Sequence, residues 1–205
     1  MKALFFGGAF NPPTKAHIDL PDLVRRKLGY DAVIYMPTKS VYIKDDQGKD
    51  FAFSEEERLS MLRSIAQDHP WMIVSDHEIS SEKQPRTYDS LCALKQQYEE
   101  VKLLFGSDKL PELETGWLHV EEICREFGIV CMRRNNDDTV RIIKENRYLS
   151  SLSRYITLVD VPAEYQSISS SQVRRIMRQR QELLSSLKDA VPEEITSIVD
   201  RKEII

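Results

Sequence analysis

Residues 3–17 read ALFFGGAFNPPTKAH, and this stretch decides the fold that the rest of the chain is expected to complete. An apolar run, Ala3–Gly7, is followed by a second glycine, two prolines and a threonine that can cap a helix. The pattern predicts a buried β-strand, a tight loop and a helix that begins after Thr14. Because open parallel sheets bind ligands beyond the carboxyl ends of their strands, this loop is the first candidate binding site.

Five further apolar runs of strand length alternate with amphipathic segments along the chain. The predicted strands are Ala32–Met36, Met72–Ser75, Val101–Phe105, Ile129–Met132 and Tyr155–Val161. The predicted helices are Ser54–Asp68, Thr87–Glu100, Val120–Phe127, Asp137–Asn146 and Ser170–Leu187, with a last helix that begins at Pro192. This alternation predicts an α/β fold, a Rossmann-like open parallel sheet with helices on both faces. We expect one domain over residues 1–205, with residues 168–205 as its small helical C-terminal piece.

Composition excludes several classes of protein. The chain has 205 residues, with 29 Lys and Arg against 33 Asp and Glu, which gives a net charge of −4. A mildly acidic chain is not expected to bind nucleic acid, because such proteins usually present a basic face. The sequence contains no apolar run long enough to cross a membrane. Three cysteines without a CxxC pair indicate a reducing compartment, so we expect a cytoplasmic protein. The oligomeric state is open.

Metal-binding residue types occur together at Asp76, His77 and Glu78. We expect these residues to lie at the end of a strand, where adjacent side chains point to opposite faces. The sequence therefore predicts no metal site made by protein side chains.

Two short segments combine features that suit a phosphate group. In the loop before Thr14, paired glycines allow close approach, and the following helix offers free N–H groups with His17 one turn in. Residues 168–175 read ISSSQVRR, so that hydroxyls and arginines stand at the start of another helix. Considered separately, each segment also has a structural interpretation, the first as a tight turn and the second as a serine cap before a solvated basic face.

The two segments together resemble the paired motifs of the nucleotidyltransferase superfamily. Residues 8–17, GAFNPPTKAH, are similar to G-x-F-[D/N]-P-x-[H/T]-x-x-H, and residues 168–174 are similar to I-S-S-[S/T]-x-[I/V]-R. Within the superfamily the chain most resembles the nicotinamide/nicotinate mononucleotide adenylyltransferases. Residues 104–108, the segment that starts at Trp117, and residues 127–134 also resemble stretches of that family. Threonine at position 14 and alanine at position 16 follow the eukaryotic-type pattern rather than the bacterial H-x-G-H.

The resemblance implies adenylyl transfer from ATP to the 5′-phosphate of a pyridine mononucleotide, with release of pyrophosphate, in NAD biosynthesis. The implied catalytic residues are His17, Thr14 and Arg174. Those implied for ATP are Gly8, Ala9, Phe10, Gly106, Asp108, Ile168, Ser169, Ser170 and Arg174. Those implied for the mononucleotide are Lys44, Thr87, Trp117 and Arg133, with Lys39 as the other lysine that could contact phosphate after the second strand.

The same resemblance implies Mg²⁺ as a cofactor that enters with ATP, bridged by the phosphate oxygens and water. No carboxylate cage is expected, since the ion is held by the substrate. The partners are then two small molecules, ATP and a pyridine mononucleotide.

Two other functions are compatible with the sequence. One is a related transferase, such as a pantetheine-phosphate adenylyltransferase or a cytidylyltransferase. The other is a nucleotide-binding regulator that keeps the fold without turnover. Trp117 and the segment after Gly128 favour the pyridine nucleotide over the first alternative. The intact His17, Ser169, Ser170 and Arg174 disfavour the second.

Overall fold

The computed structural model of the protein describes residues 1–41, 53–134, 138–165 and 167–190. Within these ranges, six parallel strands form one sheet in the order β3-β2-β1-β4-β5-β6. The strands are β1 (Lys2–Gly8), β2 (Ala32–Pro37), β3 (Met72–Val74), β4 (Glu100–Gly106), β5 (Ile129–Arg134) and β6 (Ile156–Val161). All six predicted strands are confirmed, with ends that differ by at most two residues.

Helices connect consecutive strands and cover the sheet. They are α1 (Lys15–Leu28), α2 (Glu55–Ala66), α3 (His77–Ser80), α4 (Thr87–Lys95), α5 (Val120–Glu126), α6 (Thr139–Glu145), α7 (Arg147–Leu152) and α8 (Ser170–Ala190). Short 3-10 turns occupy Ser107–Glu112, Ser153–Tyr155 and Ala163–Tyr165. The helix predicted from Pro192 lies outside the described residues. Within the described ranges, no helix is both long enough and apolar enough to cross a lipid bilayer.

Both faces of the sheet are buried, as continuous apolar strands require. In β1, Ala3 and Phe5 pack on one face with α4, α5, α6 and α7, while Leu4 and Phe6 pack on the other with α1 and α2. All four side chains are buried, so each strand contributes to two hydrophobic cores. The predicted α/β fold with helices on both faces is therefore confirmed.

The helix predicted over Thr87–Glu100 ends earlier than expected. Its last helical residue is Lys95, and a turn follows in which the Tyr98 N–H donates to the carbonyl of Leu94 at 3.1 Å. Glu100 begins β4 instead, where it pairs with Lys2 of β1. Strand formation overrides helix propensity here, because a parallel strand needs its backbone hydrogen bonds to the neighbouring strand.

The prediction that Asp76, His77 and Glu78 form the end of a strand, with side chains on opposite faces, is wrong, because β3 already ends at Val74. Asp76 precedes the four-residue helix α3, and its carbonyl accepts from the Ser80 N–H at 2.8 Å. Glu78 is buried, and its two carboxylate oxygens accept from Ser90 Oγ at 2.9 Å and from Gln84 Nε2 at 2.6 Å. Burial raises the pKa of Glu78 above its usual value.

The order of the strands places a crevice beside β1. The chain winds from β1 outward to β2 and β3, and then returns to β4 on the other side of β1. The loops after β1 and β4 therefore leave the sheet in opposite directions. Doubly wound sheets bind ligands at such a switch point, beyond the carboxyl ends of the strands.

Candidate active site

A cavity of about 770 Å³ opens at the carboxyl ends of β1, β4 and β5. It lies at the switch point of the sheet, between the loop after β1, the turn after β4 and the start of α8. Ten of the residues predicted from the sequence line it: Gly8, Ala9, Phe10, His17, Gly106, Asp108, Ile168, Ser169, Ser170 and Arg174. The structure thus brings together the whole set expected for ATP.

The loop after β1 holds an unusual backbone conformation. Phe10 has a φ of 44°, in the left-handed region that residues with a side chain rarely adopt. Its ring is buried and packs edge-on against Phe6 at 5.4 Å and against His17 at 5.5 Å between centroids. Packing of the Phe10 ring in this aromatic cluster stabilises the left-handed conformation, and the chain turns sharply at the mouth of the cavity.

His17 lies in the first turn of α1 and lines the cavity. Burial lowers its pKa to about 4, so the imidazole is neutral near pH 7. The Thr14 backbone N–H, which can only donate, lies 3.1 Å from Nδ1. Nδ1 is therefore the acceptor, and the ring proton is assigned to Nε2. The site thus contains a neutral histidine with one fixed N–H donor.

Thr14 positions this histidine. It is the residue that precedes α1, and its Oγ1 lies 2.7 Å from His17 Nδ1. Because Nδ1 accepts from the backbone, the hydroxyl is also a donor to the ring. Thr14 does not line the cavity, so its contact with the site runs through His17.

The start of α8 is attached to the loop after β1. Ser170 Oγ donates to the carbonyl of Pro12 at 2.7 Å, and Arg174 Nη1 donates to the carbonyl of Asn11 at 2.6 Å. Arg174 is only 7% exposed, and burial lowers the pKa of its guanidinium below the usual value. Ser169 Oγ accepts from the Gln172 N–H at 3.2 Å. The N-termini of α1 and α8 therefore face one cavity, where their free N–H groups favour an anion.

Gly106 and Asp108 form the opposite wall, after β4. A Cβ on residue 106 would lie 2.6 Å from Asp108 Oδ1, closer than side-chain atoms approach one another. A side chain at position 106 would therefore displace the Asp108 carboxylate from its place over the strand end. Lys109 also lines the cavity, and its Nζ pairs with Glu112 at 2.9 Å.

Several lining residues carry no motif that sequence reasoning could use. Asp138 and Thr139 reach the cavity from the start of α6. Thr139 is buried, and its Oγ1 has no hydrogen-bond partner in the part of the chain that the structure describes. Predicting them requires knowing that α6 packs against the turn Ser107–Glu112 that follows β4, which strand and helix patterns do not show.

Three of the residues expected for the mononucleotide, Trp117, Thr87 and Arg133, do not line this cavity. Trp117 is half-buried, and its ring packs edge-on against Phe105 at 5.9 Å between centroids. Thr87 is the first residue of α4. Arg133 forms an ion pair with Asp160 on the neighbouring strand β6. Lys44 lies outside the described residues. The three described residues lie on different elements and do not form one site.

Lys39, the other candidate lysine, binds two backbone carbonyls of the protein itself. Its Nζ donates to the carbonyls of Ile79 and Ser81, both at 2.6 Å. These carbonyls belong to the end of α3, so Lys39 satisfies orphan acceptors at a helix C-terminus.

Comparison with known proteins agrees with the fold. Residues 5–176 match the family model described as cytidylyltransferase-like. The chain therefore belongs to the cytidylyltransferase-like family and is a nucleotidyltransferase.

Individual relatives narrow this class. A protein of Caldicellulosiruptor saccharolyticus is 29% identical over 195 residues, which cover 95% of this chain and 96% of that one. A protein of Caldicellulosiruptor bescii is 31% identical over 180 residues, which cover 87% and 88%. Both carry the name "Probable nicotinate-nucleotide adenylyltransferase". Within its class, the chain belongs to the nicotinate-nucleotide adenylyltransferase family.

Solved structures share the architecture. Nicotinic acid mononucleotide adenylyltransferase of Plasmodium falciparum, complexed with NaAD, matches with a TM-score of 0.63 and 19% identity, covering 85% of this chain and 83% of that one. The same enzyme complexed with APC matches with a TM-score of 0.62 and 18% identity, with the same coverage. At this identity the likeness concerns the fold alone.

Proposed function

We propose that the protein transfers the adenylyl group of ATP to the 5′-phosphate of nicotinate mononucleotide. A phosphate oxygen of the mononucleotide attacks the α-phosphorus of ATP, the bond from that phosphorus to the bridging oxygen breaks, and pyrophosphate leaves. The products are a dinucleotide and pyrophosphate. The names of the relatives favour the nicotinate form. The observation that carries the proposal is a neutral, oriented His17 in a cavity between two helix N-termini.

No general base is needed, since the attacking phosphate is already an oxyanion. The protein has to position two phosphates in line and to stabilise the charge that develops on the α-phosphoryl group and the leaving pyrophosphate. His17 is assigned to this stabilisation. A neutral imidazole suits it, because Nε2–H can donate to the α-phosphate while Thr14 holds Nδ1.

The start of α8 is assigned to the β- and γ-phosphates. Its first N–H groups, with the dipole of a 21-residue helix behind them, favour negative charge at this end of the cavity. Arg174 adds a buried positive charge with N–H groups beyond those that it gives to Asn11 and Ser171. Ile168, Ser169 and Ser170 contribute the backbone and hydroxyls that surround this end.

Gly8, Ala9 and Phe10 are assigned to the nucleotide along their backbone, and Gly106 with Asp108 to the ATP ribose. Both residues line the cavity after β4. Trp117, Thr87 and Arg133, with Lys44, remain the expected contacts of the mononucleotide, and Trp117 offers the flat ring that a pyridine can stack on.

Mg²⁺ is the expected cofactor, and the residues of the cavity fit an ion that is bound by the nucleotide. The lining offers donors and one arginine for phosphate oxygens, with Asp108 and Asp138 as its carboxylates. When bound to the triphosphate, Mg²⁺ neutralises charge on the phosphates.

A coupled assay tests the proposal. The protein is incubated with ATP and Mg²⁺ and either nicotinate or nicotinamide mononucleotide, and both pyrophosphate and dinucleotide are measured. We expect both products in equal amounts, at a higher rate with the nicotinate form. Pyrophosphate formed only with phosphopantetheine, or CTP used in place of ATP, would identify a different transferase. ATP binding without product would identify a regulator.

A further inference from the structure

Arg58 in the first turn of α2 is 0% exposed. Arginine is among the residues that are almost never fully buried unless they are paired with an acid. Within the described ranges, no acidic side chain forms an ion pair with Arg58. Burial lowers the pKa of Arg58, and the negative charges of Glu55 and Glu56 on the same helix oppose this shift. The Glu55 carboxylate accepts from the Ser40 N–H at 2.6 Å. The burial of this cation therefore needs another explanation.

Arg58 binds the backbone of three separate segments. Nη1 donates to the carbonyl of Ala9 at 2.8 Å, in the loop after β1. Nη2 donates to the carbonyl of Thr38 at 2.7 Å and to Ser40 Oγ at 3.2 Å, after β2. Nε donates to the carbonyl of Phe53 at 3.3 Å, before α2. One guanidinium thus joins the first loop of the cavity to the chain that follows the neighbouring strand.

The bond to Ala9 has a consequence for the loop. In a trans peptide the C=O and the next N–H point in opposite directions. Because the carbonyl of Ala9 points to Arg58, the N–H of Phe10 points away from α2. Ala9 and Phe10 both line the cavity, so Arg58 sets the direction of a backbone donor there.

A second arginine acts on the same loop from the other side. Arg174 binds the carbonyl of Asn11, two residues after Ala9, from α8. The Asn11 side chain in turn accepts from the Phe53 N–H at 2.9 Å. Two buried guanidinium groups therefore hold alternate carbonyls of one loop: Arg174 belongs to the wall of the cavity, whereas Arg58 does not line the cavity and places its positive charge behind the loop.

We propose that Arg58 is a positioning residue for the triphosphate of the bound nucleotide: it fixes the loop at Ala9 and Phe10, and its charge favours phosphate at that loop. The inference rests on the proposed use of the cavity for ATP. It assigns Arg58 no contact with the substrate.

The test compares ligands that differ only in phosphate. Affinities for ATP and for adenosine are measured by calorimetry, with adenosine in competition, on Arg58→Met and Arg58→Lys. Arg63→Met is the matched control, because Arg63 is on the same helix, 57% exposed at its side chain, and paired with Asp76 on the surface. We expect Arg58→Met to lose on the order of tenfold in ATP affinity relative to adenosine, as the loss of charged hydrogen bonds implies. Arg58→Lys should lose less, and Arg63→Met should not change the ratio.

A merely structural role gives a different result. Loss of packing lowers the melting temperature and weakens the binding of ATP and of adenosine by the same factor. An equal loss of affinity for the two ligands in either folded variant overturns the proposal. If Arg58→Met does not fold, Arg58→Lys decides, since an ammonium group keeps the charge without the fork that spans Ala9 and Thr38. The wild-type protein binding ATP without forming a dinucleotide would overturn the proposed function and leave the ratio test of Arg58 intact.

Discussion

The loop after β1 and the surroundings of Trp117 are both expected to bind substrate, yet they are built in different ways. Around the loop, two buried arginines and a serine from distant helices bind backbone carbonyls, and ten predicted residues face one cavity. In the second region, Trp117 packs on Phe105 and Arg133 pairs with Asp160. The first region is organised for a ligand in advance. In the second, Arg133 is bound to a side chain of the neighbouring strand and not to backbone.

This difference shows what fixes a site before its ligand binds. Carbonyl acceptors cannot move without moving the chain, so a network that binds to them holds the loop rigid. Exposed side-chain pairs contribute little free energy and exchange partners easily. We therefore expect substitutions in the first region to affect rate strongly, and those in the second to affect the apparent affinity for one substrate only.

The largest effect is expected for His17→Ala, which removes the fixed Nε2–H donor. Turnover should fall on the order of 10²-fold or more, because one preorganised donor commonly contributes that much. Pyrophosphate release at saturating substrates measures it, and the affinity for ATP should fall far less than the rate. Unchanged turnover in a folded variant would remove His17 from the catalytic residues.

Acidification tests whether His17 is held neutral. Its pKa is lowered to about 4, against about 6.5 in an unfolded chain. Between these values the unfolded chain binds a proton that the folded chain does not, so the stabilisation is complete above about pH 6.5 and is lost as pH falls toward about 4. The free energy of unfolding is measured in urea for the wild type and for His17→Gln. Between about pH 7 and pH 5 we expect it to fall by about 2 kcal/mol more for the wild type than for His17→Gln. Equal losses would mean that His17 accepts a proton freely in the folded state.

Arg174→Lys tests the attachment of α8 to the loop. A lysine keeps the positive charge but cannot bind Asn11 and Ser171 with one rigid fork. We expect kcat/KM for ATP to fall about tenfold, as the loss of a charged hydrogen bond implies. Arg180→Lys, at an exposed position of the same helix, is the control and should keep wild-type values. A similar fall in both variants would point to a general charge effect of the helix.

The smallest effects are expected in the second region. Trp117→Ala should raise KM for the mononucleotide by up to about tenfold through loss of ring stacking, with KM for ATP unchanged. Trp117→Phe keeps a ring against Phe105, so its KM for the mononucleotide should be close to that of the wild type. Arg133→Ala should change either KM by less than about twofold, because an exposed ion pair contributes little. A large rise for Arg133→Ala would bring that residue into the mononucleotide site.

The sequence predicts the sheet and the first region well because both depend on local patterns. Strands buried on both faces are continuous apolar runs, and the capping features at Thr14 and Ser54 mark where helices begin. The residues of the nucleotide site stand at strand ends and helix starts, and their assignment to ATP comes from the resemblance of these segments to the nucleotidyltransferase motifs. Such features are visible within about ten residues of sequence.

The parts that sequence reasoning missed depend on contacts between distant segments. Arg58 follows a capping box and looks like a solvated helix residue until the carbonyls of Ala9 and Thr38 are found around it. Lys39 looks like a loop cation, although carbonyls some forty residues later bind it. Hydrogen bonds to backbone carbonyls leave no residue-type pattern, so a single sequence does not reveal them.

The contacts between α8 and the loop after β1 also have a consequence in time. Ser170 and Arg174 reach back across 158 and 163 residues of chain to Pro12 and Asn11. During synthesis the strands emerge in order, and a domain can begin to form before its last segments leave the ribosome. The sheet can therefore assemble on a growing chain, but one wall of the nucleotide cavity cannot exist until residue 174 has been made. A nascent chain that ends between β6 and residue 174 includes all six strands of the sheet and has no complete binding site.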